Sequence, residues 1–308
     1  MDLLFAILPF FNAGLVGSIA ARITGINMSM CVLMVILYMG ATPVEAIVVM
    51  LTFNTYTYFT IYSQEHRISF KNFTFFPGIR IVIPILLTIA GIAIQPFMGI
   101  TFFVAIFLLE IFAMIYKQME PKIRPSIREL LIMCGIASIL VVIGLTLVQF
   151  IPKEWYFAFD GIVIIGVAYF MWAVGDRNAM QSIWDKLLYG AAFITGITGI
   201  DASDWLGAMH RNNRSVLCRC YPIVINTAQV AALLVSFVLY RYFSLGSLFT
   251  TIGAAIGVRL FGVYVPSDKG KFSYLALGLT VLAVLIFMLT QPVPSGFPEL
   301  PLFSQDTF

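Results

Sequence analysis

Charge is what this 308-residue sequence has least of: Asp, Glu, Lys and Arg together make up 11% of it. A soluble domain carries about a quarter, so the shortage excludes a solvated surface for the chain as a whole. Histidine is rarer still, with His66 and His210 the only two. There is no His-Glu-x-x-His, no Gly-x-Ser-x-Gly frame and no Walker loop, which leaves zincin, serine-hydrolase and nucleotide-driven chemistry without a motif. The four cysteines make no disulfide framework: Cys31 and Cys134 lie in apolar runs, Cys218 and Cys220 in a basic loop. Near that pair His210 is the one further ligand, and a structural zinc needs four, so no metal and no cofactor is expected. Lys and Arg exceed Asp and Glu by 18 to 15. They are unevenly placed rather than abundant, which argues against nucleic acid.

What the sequence does have is hydrophobicity, 60% of residues and a mean hydropathy of +0.97. Apolar stretches of membrane-spanning length follow one another from end to end, so a lipid bilayer is the expected solvent. They fall at 3–40 (interrupted at 22–27), 43–62, 75–95, 97–116, 129–150, 155–174, an interrupted 187–210, then 221–240, 245–264 and 272–291. A Pro-rich tail, 292–308, follows. The opening Met1-Asp2-Leu3-Leu4 has no basic n-region, so the first segment is expected to stay in the mature protein.

The basic residues order these segments. Thirteen of the eighteen lie in the loops 63–72, 117–128, 175–186, 211–220 and 265–271. If each span crosses once and each interrupted stretch returns to its own side, all five loops share one face. Only Lys153 and Arg241 fall on the other. By the positive-inside rule the rich face is cytoplasmic and both termini are outside. The two interrupted stretches then start from opposite sides, which makes the halves inverted copies. The expected architecture is an all-α polytopic membrane protein of about eight to ten membrane segments in two inverted repeats. Each repeat opens with a broken or re-entrant helix. The first repeat is 1–117, an inserted helical pair is 118–186, and the second repeat is 187–291. Residues 27–40 are fourteen residues, about 21 Å of helix against a hydrocarbon core of roughly 30 Å. Re-entrant hairpins and full crossings both remain open.

The interruptions carry nearly the same four letters, Thr24-Gly25-Ile26-Asn27 and Thr198-Gly199-Ile200-Asp201. Each is followed by Asn-Thr in an apolar run, at Asn54-Thr55 and Asn226-Thr227, with intervals that differ by two residues. A broken helix in lipid frees backbone groups that must be satisfied by protein, water or ligand. Amides at the start of a half-helix favour anions, and carbonyls at the end of one favour cations or protons. On this reading Arg22, the amides from Gly25 onward and the side chains Asn27, Asn54, Thr55, Asn226 and Thr227, with Gly199 at the second break, bind a small anionic substrate. Gln229 is a further neutral polar candidate. Asp201 and Asp204 take a coupling proton or cation. The bland alternatives are a snorkelling Arg22, helix-capping aspartates and interhelical hydrogen bonds. Glu110, Arg80 and Arg259 fit structural roles near span ends, with Gly253 and Gly257 allowing close helix contact. Gly199-Ile200-Asp201 is also similar to an intramembrane aspartyl protease motif. That chemistry needs a second aspartate on a facing helix, and Asp160 is placed near the opposite end of its span.

The chain resembles the sulfite exporter (TauE/SafE) permease family, over most of 1–117 and 187–290. The stretches that carry the resemblance are Phe11-Asn12-Ala13-Gly14-Leu15-Val16-Gly17 and Phe193-Ile194-Thr195-Gly196-Ile197-Thr198-Gly199. With them go the turn Gly40-Ala41-Thr42-Pro43-Val44-Glu45-Ala46, the basic His66-Arg67 and the Gly253-Ala254-Ala255-Ile256-Gly257 span. The resemblance implies a secondary transporter, not an enzyme, that exports a small anion such as sulfite, an organic sulfonate or a carboxylate by alternating access. A passive anion channel and a membrane scaffold subunit are the alternatives from other classes.

Overall fold

The computed structural model describes residues 2–24, 28–65, 81–94, 96–118, 124–174, 184–201, 216–240 and 245–261, with single positions between 278 and 289. Helix is the only regular structure among them. In chain order the helices are α1 (Asp2–Thr24), α2 (Met28–Tyr38), α3 (Pro43–Glu65), α4 (Val82–Ile94), α5 (Pro96–Gln118), α6 (Ile127–Val148), α7 (Lys153–Val174), α8 (Trp184–Thr198), α9 (Val216–Tyr240) and α10 (Leu245–Phe261). The expected segments up to 245–264 are there with shifted ends, except that 202–210 lies outside the described residues, as does most of the expected span 272–291. Helix α1 runs through Arg22 to Thr24, so the described helix reaches the Thr-Gly break itself. The loop at 66–80 and the stretches 202–215 and 262–277 lie outside the described residues.

Local chemistry explains several boundaries. Helix α2 closes on Gly40, whose φ of +92° suits glycine. The Gly40 N–H reaches Leu37 O and the Ala41 N–H reaches Ile36 O, at 2.9 and 3.4 Å, the paired bonds of a Schellman end. Thr42 then caps α3, accepting from the Glu45 N–H at 3.3 Å, and Pro43 takes the first helical position, where no N–H is needed. Helix α6 starts from a capping box of Ser126 and Glu129, two residues earlier than the apolar run begins. Helix α9 starts at Val216 rather than Tyr221, which moves Cys218 and Cys220 out of the expected basic loop and into a helix. Hydropathy misses this first turn because Arg219 is polar, yet arginine is a good helix former. Cys31, Cys134 and Cys220 are buried.

The helices turn their apolar side chains outward. On α6 the buried face is small, with Cys134, Ala137, Val141 and Gly144. Its outer face carries Leu131, Ile132, Ile136, Ile139, Ile143 and Leu147, all exposed. Helix α4 is more extreme: only Pro84 and Gly91 are buried, while Ile83, Leu86, Ile89 and Ile94 stand exposed. Apolar faces of this extent do not stay bare in water. Ile127–Val148 is long and apolar enough to cross a membrane, and the other described apolar helices are shorter stretches of 10–17 residues. The fold is all-helical and compatible with a membrane protein.

Glycines set the closest crossings. Helix α1 packs on α10, and α8 packs on α6. A side chain on Gly253 would strike the Phe11 carbonyl of α1, and one on Gly14 would strike the Thr250 carbonyl of α10. In the other pair, a Cβ on Gly144 would come within 2.8 Å of the Phe193 carbonyl, and one on Gly196 would strike the Val141 carbonyl. Small residues let backbones meet in this way where lipid offers no hydrophobic drive for association. The expected close contact at Gly253 and Gly257 is therefore present, with Gly257 against the Ser18 hydroxyl. Helices α3 and α9 pack together between these pairs, α3 also touching α10 and α9 also touching α6.

Candidate functional site

The second break is built by its own four letters. The Thr198 hydroxyl donates to Ile194 O at 2.7 Å and accepts from the Ile200 N–H at 3.1 Å. Gly199, at φ +74°, turns the chain out of α8 while its N–H still reaches Thr195 O at 2.9 Å. A side chain there would be strained by that φ and would come within 2.9 Å of Met50 Cβ on α3. Ile200 and Asp201 follow, both buried.

From this turn a chain of buried hydrogen bonds crosses to the first half. The Asp201 N–H donates to the Ser29 hydroxyl at 2.8 Å. Ser29 in turn donates to Asn54 Oδ1 at 3.0 Å. The Asn54 amide donates to the Gly199 carbonyl at 2.9 Å, which closes the loop back to the break. Ser29 sits in the first turn of α2, directly after residues 25–27, so segments 172 and 145 residues apart in sequence are joined in one ring. Asn54 is fully buried, and Ser29 and Asp201 are each 4% exposed.

A second polar group lies where α3 and α9 meet. The Thr55 hydroxyl donates to Leu51 O at 2.8 Å and stands 3.5 Å from Gln229 Oε1. Asn226 and Gln229 are fully buried. Neither polar atom of the Asn226 amide has a hydrogen-bond partner, nor does Gln229 Nε2. Buried amides without partners are uncommon and call for an explanation. Thr227 is turned elsewhere, donating to Ile223 O at 2.7 Å.

The structure brings Asn54, Gly199 and Asp201 together through Ser29, and Thr55 stands beside Gln229 of α9. Arg22 stands apart in character: it is exposed in the last turn of α1, where the sequence reading had it on the substrate. Ions at helix ends are cheapest where the side chain can reach polar surroundings. Gly25, Asn27 and Asp204 lie outside the described residues. Arg259 is exposed, Glu110 buried.

Sequence reasoning missed Ser29 and Tyr156. A serine two residues past a break reads as a weak capping residue, yet here it is the hinge of the ring. Tyr156, fully buried on α7, places its hydroxyl 3.3 Å from Ile197 O and 3.5 Å from Thr198 O. Those carbonyls end α8 and have no intrahelical partner to expect. The signal was available as a polar tip on an otherwise apolar helix. Asp160 is one turn further along the same helix and also fully buried. It shares one face of α7 with Tyr156. Comparison with family models, curated proteins and solved structures finds no match to this chain.

Proposed function

We propose that the chain is a secondary transporter of a small anion, embedded in a cell membrane and worked by alternating access about its two helix breaks. The observation that carries this reading is the ring Asp201–Ser29–Asn54–Gly199, which ties the second break to the helix that follows the first. Polar groups are costly at membrane depth and mark pathways for ions and substrates. A scaffold subunit would need the apolar faces but not these breaks.

The reading includes the two inverted repeats at 1–117 and 187–291, the pair between them and both termini outside. Each helix that leads into a break meets a neighbour at a glycine crossing, α1 with α10 and α8 with α6. The cargo class comes from the resemblance to the sulfite exporter permeases. The unpartnered Asn226 and Gln229 amides supply neutral donors for an anion's oxygens, Thr55 stands beside Gln229, and Asn27 and Thr227 complete the proposed set. Arg22 attracts the anion at an entrance. Buried acids and an anionic cargo repel, so the cargo moves with a proton on Asp201, assisted by Asp204.

Two measurements test this. Reporter fusions at residues 120, 180, 215 and 268 should all report cytoplasm, and a cytoplasmic C-terminus would overturn the inversion. In liposomes, labelled sulfite, a short alkyl sulfonate and acetate should be screened for counterflow. Saturable flux accelerated by unlabelled anion on the far side is expected for a carrier. Flux that neither saturates nor responds to the far side would make the chain a pore.

A further inference from the structure

Helix α7 contributes a feature that transport at the ring does not use. Asp160 is fully buried, and neither carboxyl oxygen has a hydrogen-bond partner. No Lys, Arg or His among the described residues pairs with it. Four residues earlier on the same helix, hence on the same face, Tyr156 holds the terminal carbonyls of α8. Ile164 and Val167 continue that buried face, so the carboxyl is surrounded by apolar packing. A carboxylate in such surroundings is expensive unless it is paired or protonated.

A phenol has a single hydrogen to donate. In this structure it goes to Ile197 O and Thr198 O, at 3.3 and 3.5 Å, while Asp160 receives nothing. That division suits a neutral, protonated Asp160. An ionised carboxylate would accept a charge-assisted bond, roughly twice as strong as a neutral one, and would win over two long contacts. We propose that Tyr156 and Asp160 form a proton-operated latch on the second break: a protonated Asp160 leaves Tyr156 on the α8 carbonyls, and an ionised one draws it away.

The step is a simple exchange. The Asp160 O–H bond breaks, its proton leaves to water, and Tyr156 keeps its own proton while moving its hydrogen bond. The freed carbonyls of Ile197 and Thr198 then lie next to Gly199, Ile200 and Asp201, so the turn that holds the ring loosens. Among the described residues, the other titratable groups to follow are Asp201, buried three residues past Thr198, Cys134 on α6 and Tyr189 on α8, about two turns before Ile197.

The latch does not rest on the transport reading, and its test needs no cargo. The full chain is reconstituted in liposomes and titrated from neutral to alkaline pH, with protons as the only ligand. Infrared spectra should show the carbonyl stretch of a protonated carboxylic acid that disappears on titration. The Asp160 part of that band should be absent in Asp160→Asn and kept in Tyr156→Phe. Hydrogen exchange of a peptide spanning 197–201 is followed in parallel and corrected for base catalysis. The wild type should exchange roughly three- to tenfold faster once the band is lost, the scale of one hydrogen bond. Asp160→Asn should stay protected throughout, and Tyr156→Phe should exchange fast at every pH. Because Asp201 carries its own proton on the transport reading, the band is read as the wild-type minus Asp160→Asn difference: no such difference, or protection that survives Tyr156→Phe, would overturn the latch.

Discussion

Asn54→Ala and Asn226→Ala should fail in opposite ways, although each asparagine opens an Asn-Thr pair at a similar interval past its Thr-Gly-Ile motif. Asn54 uses both ends of its amide, accepting from Ser29 and donating to Gly199. Its removal leaves the Gly199 carbonyl and the Ser29 hydroxyl short of a partner. Interhelical bonds in membranes are worth about 0.6 kcal/mol on average and about 1.7 at most. Two of them put the expected stability loss at roughly 1–3 kcal/mol, enough to lower the melting temperature in detergent without unfolding the protein. Because the ring also sets the second break, the maximal transport rate should drop by about tenfold or more, the cost of misplaced groups. Asn226 has no protein partner to lose. Replacing a buried, unpaired amide with an apolar group is close to neutral for stability. Asn226→Ala should therefore melt no lower, while the half-saturating concentration of the transported anion rises by about tenfold, one good hydrogen bond to a charged group. Thermal melting and liposome uptake on both variants separate the two roles. Equal losses in melting temperature would mean that Asn226 is structural and that the ligand reading of α9 is wrong.

The breaks were legible in the sequence because glycine and a short polar residue inside an apolar run leave few conformations open. Thr-Gly-Ile-Asp predicts both the turn at Gly199 and a polar group beside it, and the structure supplies each. Asn54 was legible through its spacing alone. Its partner was not, since a contact across 145 residues depends on how α3 lies against α8, and no local signal encodes that. Ser29 was missed for the same reason: its hydroxyl looks like a capping group until the Asp201 N–H arrives from the other half. Tyr156 was hidden among 13 tyrosines, most of which an interfacial belt would account for.

Arg22 shows the limit of reading charge from sequence. A cation two residues from a break is an attractive anion site on paper, but α1 stays helical through Thr24, which carries the side chain to an exposed position. The buried charges that remain among the described residues are acidic: Glu110, Asp160 and Asp201. An anion carrier with such an interior needs protons to neutralise it, so coupling, rather than attraction by a buried cation, becomes the main electrostatic question.

Replacing Asp201 by asparagine should abolish gradient-driven accumulation while leaving exchange largely intact. The substitution is nearly isosteric and turns the second break into Thr-Gly-Ile-Asn, the letters of the first. What holds Asp201 in the ring is its backbone N–H on Ser29, which asparagine keeps, so the fold and the break should survive. What it loses is the one acidic side chain described at a break, 4% exposed and able to load and release a proton as its surroundings alternate. Without it the loaded carrier still reorients, so counterflow should persist within about twofold. The pH gradient should no longer concentrate the anion, and accumulation should fall to the level of an imposed zero gradient, because a carrier with no differential response to protons cannot be driven by them. The measurement is paired uptake in one set of liposomes, first with anion inside and equal pH, then with a pH step and no internal anion. Undiminished accumulation under the pH step would reduce Asp201 to a helix-capping residue and move the coupling to another buried acid.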